Sequence, residues 1–106
     1  MIERLWRGWT TAENADTYES ILETDVFPSI AAKRVPGYQG IRLLRRPLPN
    51  GEVEFLTIMS FDSFDAVRAF GGDDYEMAYV PASARAVLAR FDQRSVHYEL
   101  RKQLKY

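Results

Sequence analysis

The sequence has no cysteine and a single histidine, His97. The first absence removes disulfides, thiolate metal sites and thiol nucleophiles together, and suits a reducing compartment. A lone imidazole argues against a histidine-rich metal centre, and no metal site is expected. An excess of one charge is also missing. The 14 Lys and Arg against 15 Asp and Glu leave a net charge of −1, with basic residues spread along the chain. That distribution offers no electrostatic footprint for nucleic acid or for an anionic membrane. There is no membrane-spanning apolar segment, and Met1-Ile2-Glu3-Arg4 runs into a strand pattern without a signal core, so a cytoplasmic protein is expected. Internal repeats and low-complexity tracts are absent. A chain of 106 residues makes one domain, able to bury roughly 65% of the surface its unfolded form exposes.

What is present is organised around a predicted β-hairpin over residues 38–61. Two runs rich in Ile, Leu, Val and Phe meet at Pro49-Asn50-Gly51. Asn-Gly is suited to the two positive φ angles of a type I′ turn, which predicts a two-residue loop with Pro49 opposite Glu52. Leu44 then falls opposite Thr57 and Leu43 opposite Ile58. One face would carry Ile41, Leu43, Leu56 and Ile58 and pack on helices. The other would carry Arg42, Leu44, Arg46, Phe55, Met59 and Phe61 as an interface or ligand wall. A three-residue loop would swap these faces. Because residues 55–59 are apolar at both parities, both sides of the strand need cover, and helices in so short a chain cover only one. A second subunit is expected on the other.

Residues 2–9 read as a central strand, with Ile2 and Trp6 on one face and Leu5 and Trp9 on the other. Thr10 and Glu13 have the spacing of a capping box, which predicts a helix from about Thr11. Its buried stripe is Tyr18, Ile21, Leu22 and Val26. Pro28 must distort or break it, yet Ile30 and Ala31 continue the pattern to about Lys33. Val35-Pro36-Gly37 ends it. After the hairpin, Asp62 or Ser63 caps a short helix bearing Phe64, Val67 and Phe70, which Gly71-Gly72 stops. Pro81 suits the start of another helix with Ala84, Val87, Leu88 and Phe91 on one stripe. A last strand is expected over residues 93–100, followed by a charged tail over 101–106. The order β-α-β-β-α-β predicts an α+β, ferredoxin-like domain: a four-stranded antiparallel sheet in the order 4-1-3-2 with helices on one face.

The first strand, the helix ending at Val35-Pro36-Gly37-Tyr38, the hairpin, and Phe61-Asp62-Ser63 opening a helix together resemble the antibiotic biosynthesis monooxygenase-like proteins of the dimeric α+β barrel superfamily. The resemblance covers nearly the whole chain. It implies a homodimer in which two sheets pack face to face, and a cofactor-free oxygenase acting on a small aromatic molecule such as a phenol, quinol or polyketide. A plain ligand-binding or structural dimer is the alternative. Where catalytic members of the family have a Trp at the end of the third strand this chain has Phe61. Leu5 and Tyr79 fall near the positions of the Asn and the iron-binding His of the haem-degrading members. A haem-oxygenase reading is therefore disfavoured, and no cofactor is expected.

His97 is the one side chain whose ordinary pKa lies near neutrality, and as a general base it would deprotonate a phenol or quinol. The bland reading is a sheet histidine bonded to a neighbour. His97 and Arg7 are the catalytic candidates, assisting proton removal, and Trp6, Phe61, Tyr75 and Tyr79 the substrate-binding ones, set against the alternative that such aromatics are core. Asp73, Asp74 and Glu76 lack calcium-loop spacing and are explained by capping and solvation. Arg42, Arg45 and Arg46 could hold an anion, but exposed arginines or salt bridges on a strand explain them more simply.

Overall fold

A computed structural model describes residues 1–106. Five strands form one antiparallel sheet: β1 (Ile2–Thr11), β2 (Tyr38–Pro47), β3 (Glu52–Phe61), β4 (Arg90–Phe91) and β5 (Val96–Glu99). β2 pairs with β3, β3 with β1, and β1 on its other edge with β4 and then β5. The expected order is therefore present. The last strand differs in being split, because its residues leave the edge of β1 at Asp92 and rejoin it at Val96.

Helices cover one face of the sheet. α1 (Ala15–Ile21) passes through a π-helical turn (Leu22–Val26) into α2 (Phe27–Ala32). The wider turn sits immediately before Pro28, where the ring and the missing N–H disrupt the regular ladder, so the helix continues instead of ending. Its stripe of Ala15, Tyr18, Leu22, Val26 and Ile30 is buried. α3 (Phe64–Gly71) is capped by Ser63, whose hydroxyl accepts from the Ala66 N–H at 3.3 Å, and Gly72 ends it with φ 80°.

Two expected helix boundaries are corrected. Thr10 does not cap a helix. It pairs with Val53 inside β1, wholly buried, and its hydroxyl donates to the Val87 carbonyl at 2.6 Å, so α1 starts only at Ala15. The helix after Pro81 is one turn, α4 (Ala82–Arg85), and Phe91 is in a strand. The backbone after Leu88 is drawn onto β1, where the Ala89 N–H donates to Trp9 at 2.8 Å and the Asp92 N–H to Arg7 at 2.9 Å.

The hairpin register is corrected by one residue. Leu43 lies opposite Thr57 and Pro47 opposite Val53. The loop is Pro49-Asn50-Gly51, closed by the Gly51 N–H donating to Leu48 at 3.1 Å and the Leu48 N–H donating to Glu52 at 2.8 Å. Pro49 provides the fixed negative φ of the first central position of a type I turn, and Gly51 alone takes a positive φ, 88°. The faces of β3 exchange accordingly. Val53, Phe55, Thr57, Met59 and Phe61 point into the helices and are buried, with Phe55 edge-on to Tyr18 at 4.8 Å between centroids. Phe55 and Met59 are thus core, not interface. Leu56 and Ile58, expected in the core, lie on the open face with Leu5, Leu44, Val96 and Tyr98.

Truncating Phe55 to Ala should therefore destabilise the fold by about 3–5 kcal/mol. Urea denaturation of the variant beside wild type measures this, and a loss below about 1 kcal/mol would return Phe55 to an exposed face.

Candidate functional site

Between the inner face of β1 and β3 and the run from α1 to α2 lies a cleft of about 40 Å³. Such a space holds a few waters and not a ring. Its wall is mostly apolar, with Leu22, Val26, Ile30, Met59 and Phe70 among its residues. The polar groups on it are Arg4, Trp6, Tyr18, Thr57, Tyr79 and Ser95. None is a carboxylate or an imidazole.

Arg4 shares the inward parity of Ile2 and Trp6 on β1 and is only 3% exposed. No carboxylate lies within salt-bridge distance of it. Its guanidinium is satisfied instead by neutral acceptors. Nη1 donates to the Tyr75 carbonyl and lies 3.1 Å from His97 Nε2, and Nη2 donates to the Met77 carbonyl at 3.0 Å. The ring of Phe70 lies 5.2 Å from its central carbon. Burial lowers the Arg4 pKa to about 10, which still leaves it charged at neutral pH.

His97 follows from Arg4. A guanidinium only donates, so Nε2 must present its lone pair and the ring proton sits on Nδ1. Nδ1 is shielded and makes no hydrogen bond within the protein. Burial first, then the Arg4 charge, lowers the His97 pKa, against a smaller opposing effect of Glu76. The imidazole packs edge-on to Tyr75, 5.3 Å between centroids, and beside Phe64. It does not line the cleft. It therefore would not hold a haem iron there, and no other imidazole exists.

The remaining candidates divide. Trp6 lines the cleft, with its indole lying over Gly8, where a Cβ would come within 2.9 Å of the ring, and its Nε1 donates to the Asp92 carbonyl at 2.8 Å. Tyr79 lines it too, near the mouth, under the Lys33 ammonium at 4.2 Å. Phe61 is core behind Phe70, 5.8 Å between centroids, and Tyr75 contributes its carbonyl to Arg4 and its ring to His97. Arg7 is on the opposite face of the sheet, paired with Asp92 at 3.0 Å, so it and His97 do not converge. Arg42, Arg45 and Arg46 each hold a carboxylate of this chain, and Arg94 holds Asp74 and Glu76. Arg4 is not among the sequence candidates, although a charged residue between Ile2 and Trp6 on the inner face is its signal.

With this geometry in view, the molecule has the antibiotic biosynthesis monooxygenase-like fold. Over its full length it is similar to a point mutant of MhuD crystallised with two manganese protoporphyrin IX per active site, at 16% identity and a TM-score of 0.65, with all of that chain covered. It is similar to a putative antibiotic biosynthesis monooxygenase from Bacillus cereus at 10% identity and a TM-score of 0.66, covering 100% and 96% of the two chains. SnoaB, a cofactor-independent oxygenase from Streptomyces nogalater, aligns at 21% identity and 0.59, covering 99% and 98%. No family model and no curated protein matches the sequence. No helix is long and apolar enough to cross a membrane.

The lowered His97 pKa sets a pH dependence. Below about pH 6.5, the ordinary value, the unfolded chain binds a proton that the folded chain refuses, so stability falls as pH falls through that window. Urea midpoints between about pH 7.5 and 5.5 should drop more steeply in wild type than in His97→Gln. Parallel slopes would mean that His97 binds its proton equally in the folded and unfolded chains.

Proposed function

We propose that the chain is a cofactor-free monooxygenase whose substrate is a small aromatic phenol, quinol or polyketide-like ring, bound in the cleft on the helix side of β1 and β3 when Tyr79 swings out to enlarge it. The observation that carries this reading is the cleft itself: an apolar wall with one buried guanidinium. The full-length likeness in fold to oxygenases supports it. Trp6 and Tyr79 flank the ring, and Arg4 holds the oxygen of its anion. His97 is a positioning residue, orienting Arg4 through Nε2. Phe61 and Tyr75 support this wall from behind, and Arg7 takes no part.

The chemistry belongs to the substrate. A phenolate or hydroxyanthrone anion gives one electron to dioxygen, and the radical and superoxide join at a ring carbon that bears hydrogen. The peroxide anion takes a proton from water, and the hydroperoxide loses that carbon's hydrogen with its outer hydroxyl as water to leave a carbonyl. One oxygen atom enters the product and the other leaves in water, with the substrate supplying both electrons. The protein's part is to stabilise the anion and exclude bulk water.

A non-catalytic binding protein is the second reading. It is favoured by one observation: no carboxylate or imidazole lines the cleft to take the proton. Oxygen uptake with a panel of hydroxyanthrones and quinols separates the two. Turnover that falls by about a hundredfold in Arg4→Met, the order expected for loss of an anion-stabilising donor, and that is reduced in Trp6→Phe, supports the oxygenase. Ligand binding with no oxygen consumed on any member supports the alternative.

The working unit in this proposal is a homodimer joined through the open sheet face. Leu44, Val96 and Tyr98 are 46%, 51% and 57% exposed there, around Leu5, Leu56 and Ile58. That stripe is apolar at the centre of a sheet, where a solvated face would be polar. Native mass spectrometry should give a dimer for wild type and a folded monomer for Ile58→Asp. A monomeric wild type would remove the dimer.

A further inference from the structure

We infer that the cleft is selective for a planar aromatic anion that arrives ionised, its oxyanion bound by Arg4. This rests on the reading of the cleft as the ligand site, though not on any oxygen chemistry there. Arg4 is a buried cation whose charge nothing in the chain neutralises. Its five N–H donors are only partly used: two on Nη1 go to Tyr75 and His97 and one on Nη2 to Met77. The two that remain, on Nε and Nη2, sit on adjacent nitrogens, the arrangement that two carboxylate oxygens bridge. They have no acceptor in the protein.

The rim has a second cation. Lys33, at the end of α2, lies over the rings of both Phe70 and Tyr79, at 5.1 and 4.2 Å, and has no carboxylate partner. Both cations draw an anion inward, while the wall holds no base that could create one from a neutral ring. Selection for the ionised form follows. A ring needs more room than the present cleft gives. Tyr79 is the side chain placed to yield, since it is 39% exposed and sits on residues 78–81, which form neither helix nor strand.

The oxyanion is a carboxylate or a phenolate, and one experiment separates these sources. The full-length protein is titrated with 2-naphthoate and with 2-naphthalenemethanol, rings of equal size, one charged and one neutral, by tryptophan fluorescence and calorimetry. Naphthoate should bind at least about tenfold more tightly, as a charge-assisted hydrogen bond in a dry site requires. The preference should vanish in Arg4→Met and persist in Lys33→Met. Equal binding of the two ligands, no binding of naphthoate, or a preference that survives in a folded Arg4→Met would each overturn the inference. If Arg4→Met does not fold, the wild type decides: naphthoate must shift the Arg4 Nε–H resonance, and a resonance unmoved at saturation overturns it. 2-Naphthol, titrated in the same way, supports a phenolate source if the bound dye ionises at lower pH than the free dye, and a carboxylate source if it does not. Naphthoate preference without oxygen uptake would remove the oxygenase and keep this inference. Uptake without preference would do the reverse.

Discussion

A guanidinium taken out of water must find acceptors, and the acceptors Arg4 finds organise one side of the molecule. The carbonyls of Tyr75 and Met77 belong to a segment without helix or strand, and His97 to the last strand. Residues 73–80 are also held by the Ala78 N–H on the Gln93 carbonyl at 3.0 Å, the Ser95 N–H on the Glu76 carbonyl at 2.6 Å and the ion pairs of Arg94 with Asp74 and Glu76. The same segment continues into Tyr79 at the mouth of the cleft. A single buried cation thus ties the central strand to an irregular connection, fixes the tautomer of the only histidine, and positions one wall of the cavity. Replacing neutral acceptors with a carboxylate would have offset its desolvation better. The charge left uncompensated is what makes the site chemically distinctive.

The open face of the sheet is handled differently. Trp9 points away from the helices yet is 7% exposed, because the guanidiniums of Arg7 and Arg90 stack on it at 5.1 and 4.2 Å and are themselves held by Asp92 and Glu52. One end of that face is therefore closed within the chain. The aliphatic stripe of Leu5, Leu56 and Ile58 has no such cover. Cation cover at one end and an uncovered aliphatic stripe at the other thus divide this face along the strands.

Strand order, the two faces of β1, the buried stripe of the first helix, the persistence of that helix through Pro28 and the Ser63 cap were legible in the sequence, because each depends on periodicity or on a local residue with one dominant backbone preference. What was not legible depended on competition. Asn50-Gly51 suits a two-residue turn, but Pro49 ahead of it suits a type I turn with Gly51 as the bulge residue, and the second arrangement sets the register. Thr10 and Glu13 have capping-box spacing, but Thr10 is worth more inside the sheet, where Val53 pairs with it and Val87 accepts its proton. The stripe through Val87, Leu88 and Phe91 is helical in spacing, yet the free edge of β1 offers that backbone better partners. At the site, Trp6 and Tyr79 were found as aromatics on inward positions. Arg4 belongs to no motif, and its meaning lies in the parity of its neighbours.

The cleft supplies a cation and apolar walls, and its acceptors are the weakly basic hydroxyls of Tyr18, Thr57, Tyr79 and Ser95. The chain's one histidine is committed through Nε2 and does not line the space. An acid–base mechanism is favoured by a group whose pKa lies near the operating pH within reach of the proton it takes, and neither a carboxylate nor an imidazole is placed there. A buried positive charge instead lowers the free energy of the anion and of any transition state that keeps negative charge on the same oxygen. In the proposed oxygenase Arg4 would hold the substrate as its anion, and the electron passed to dioxygen would come from the ring's own density.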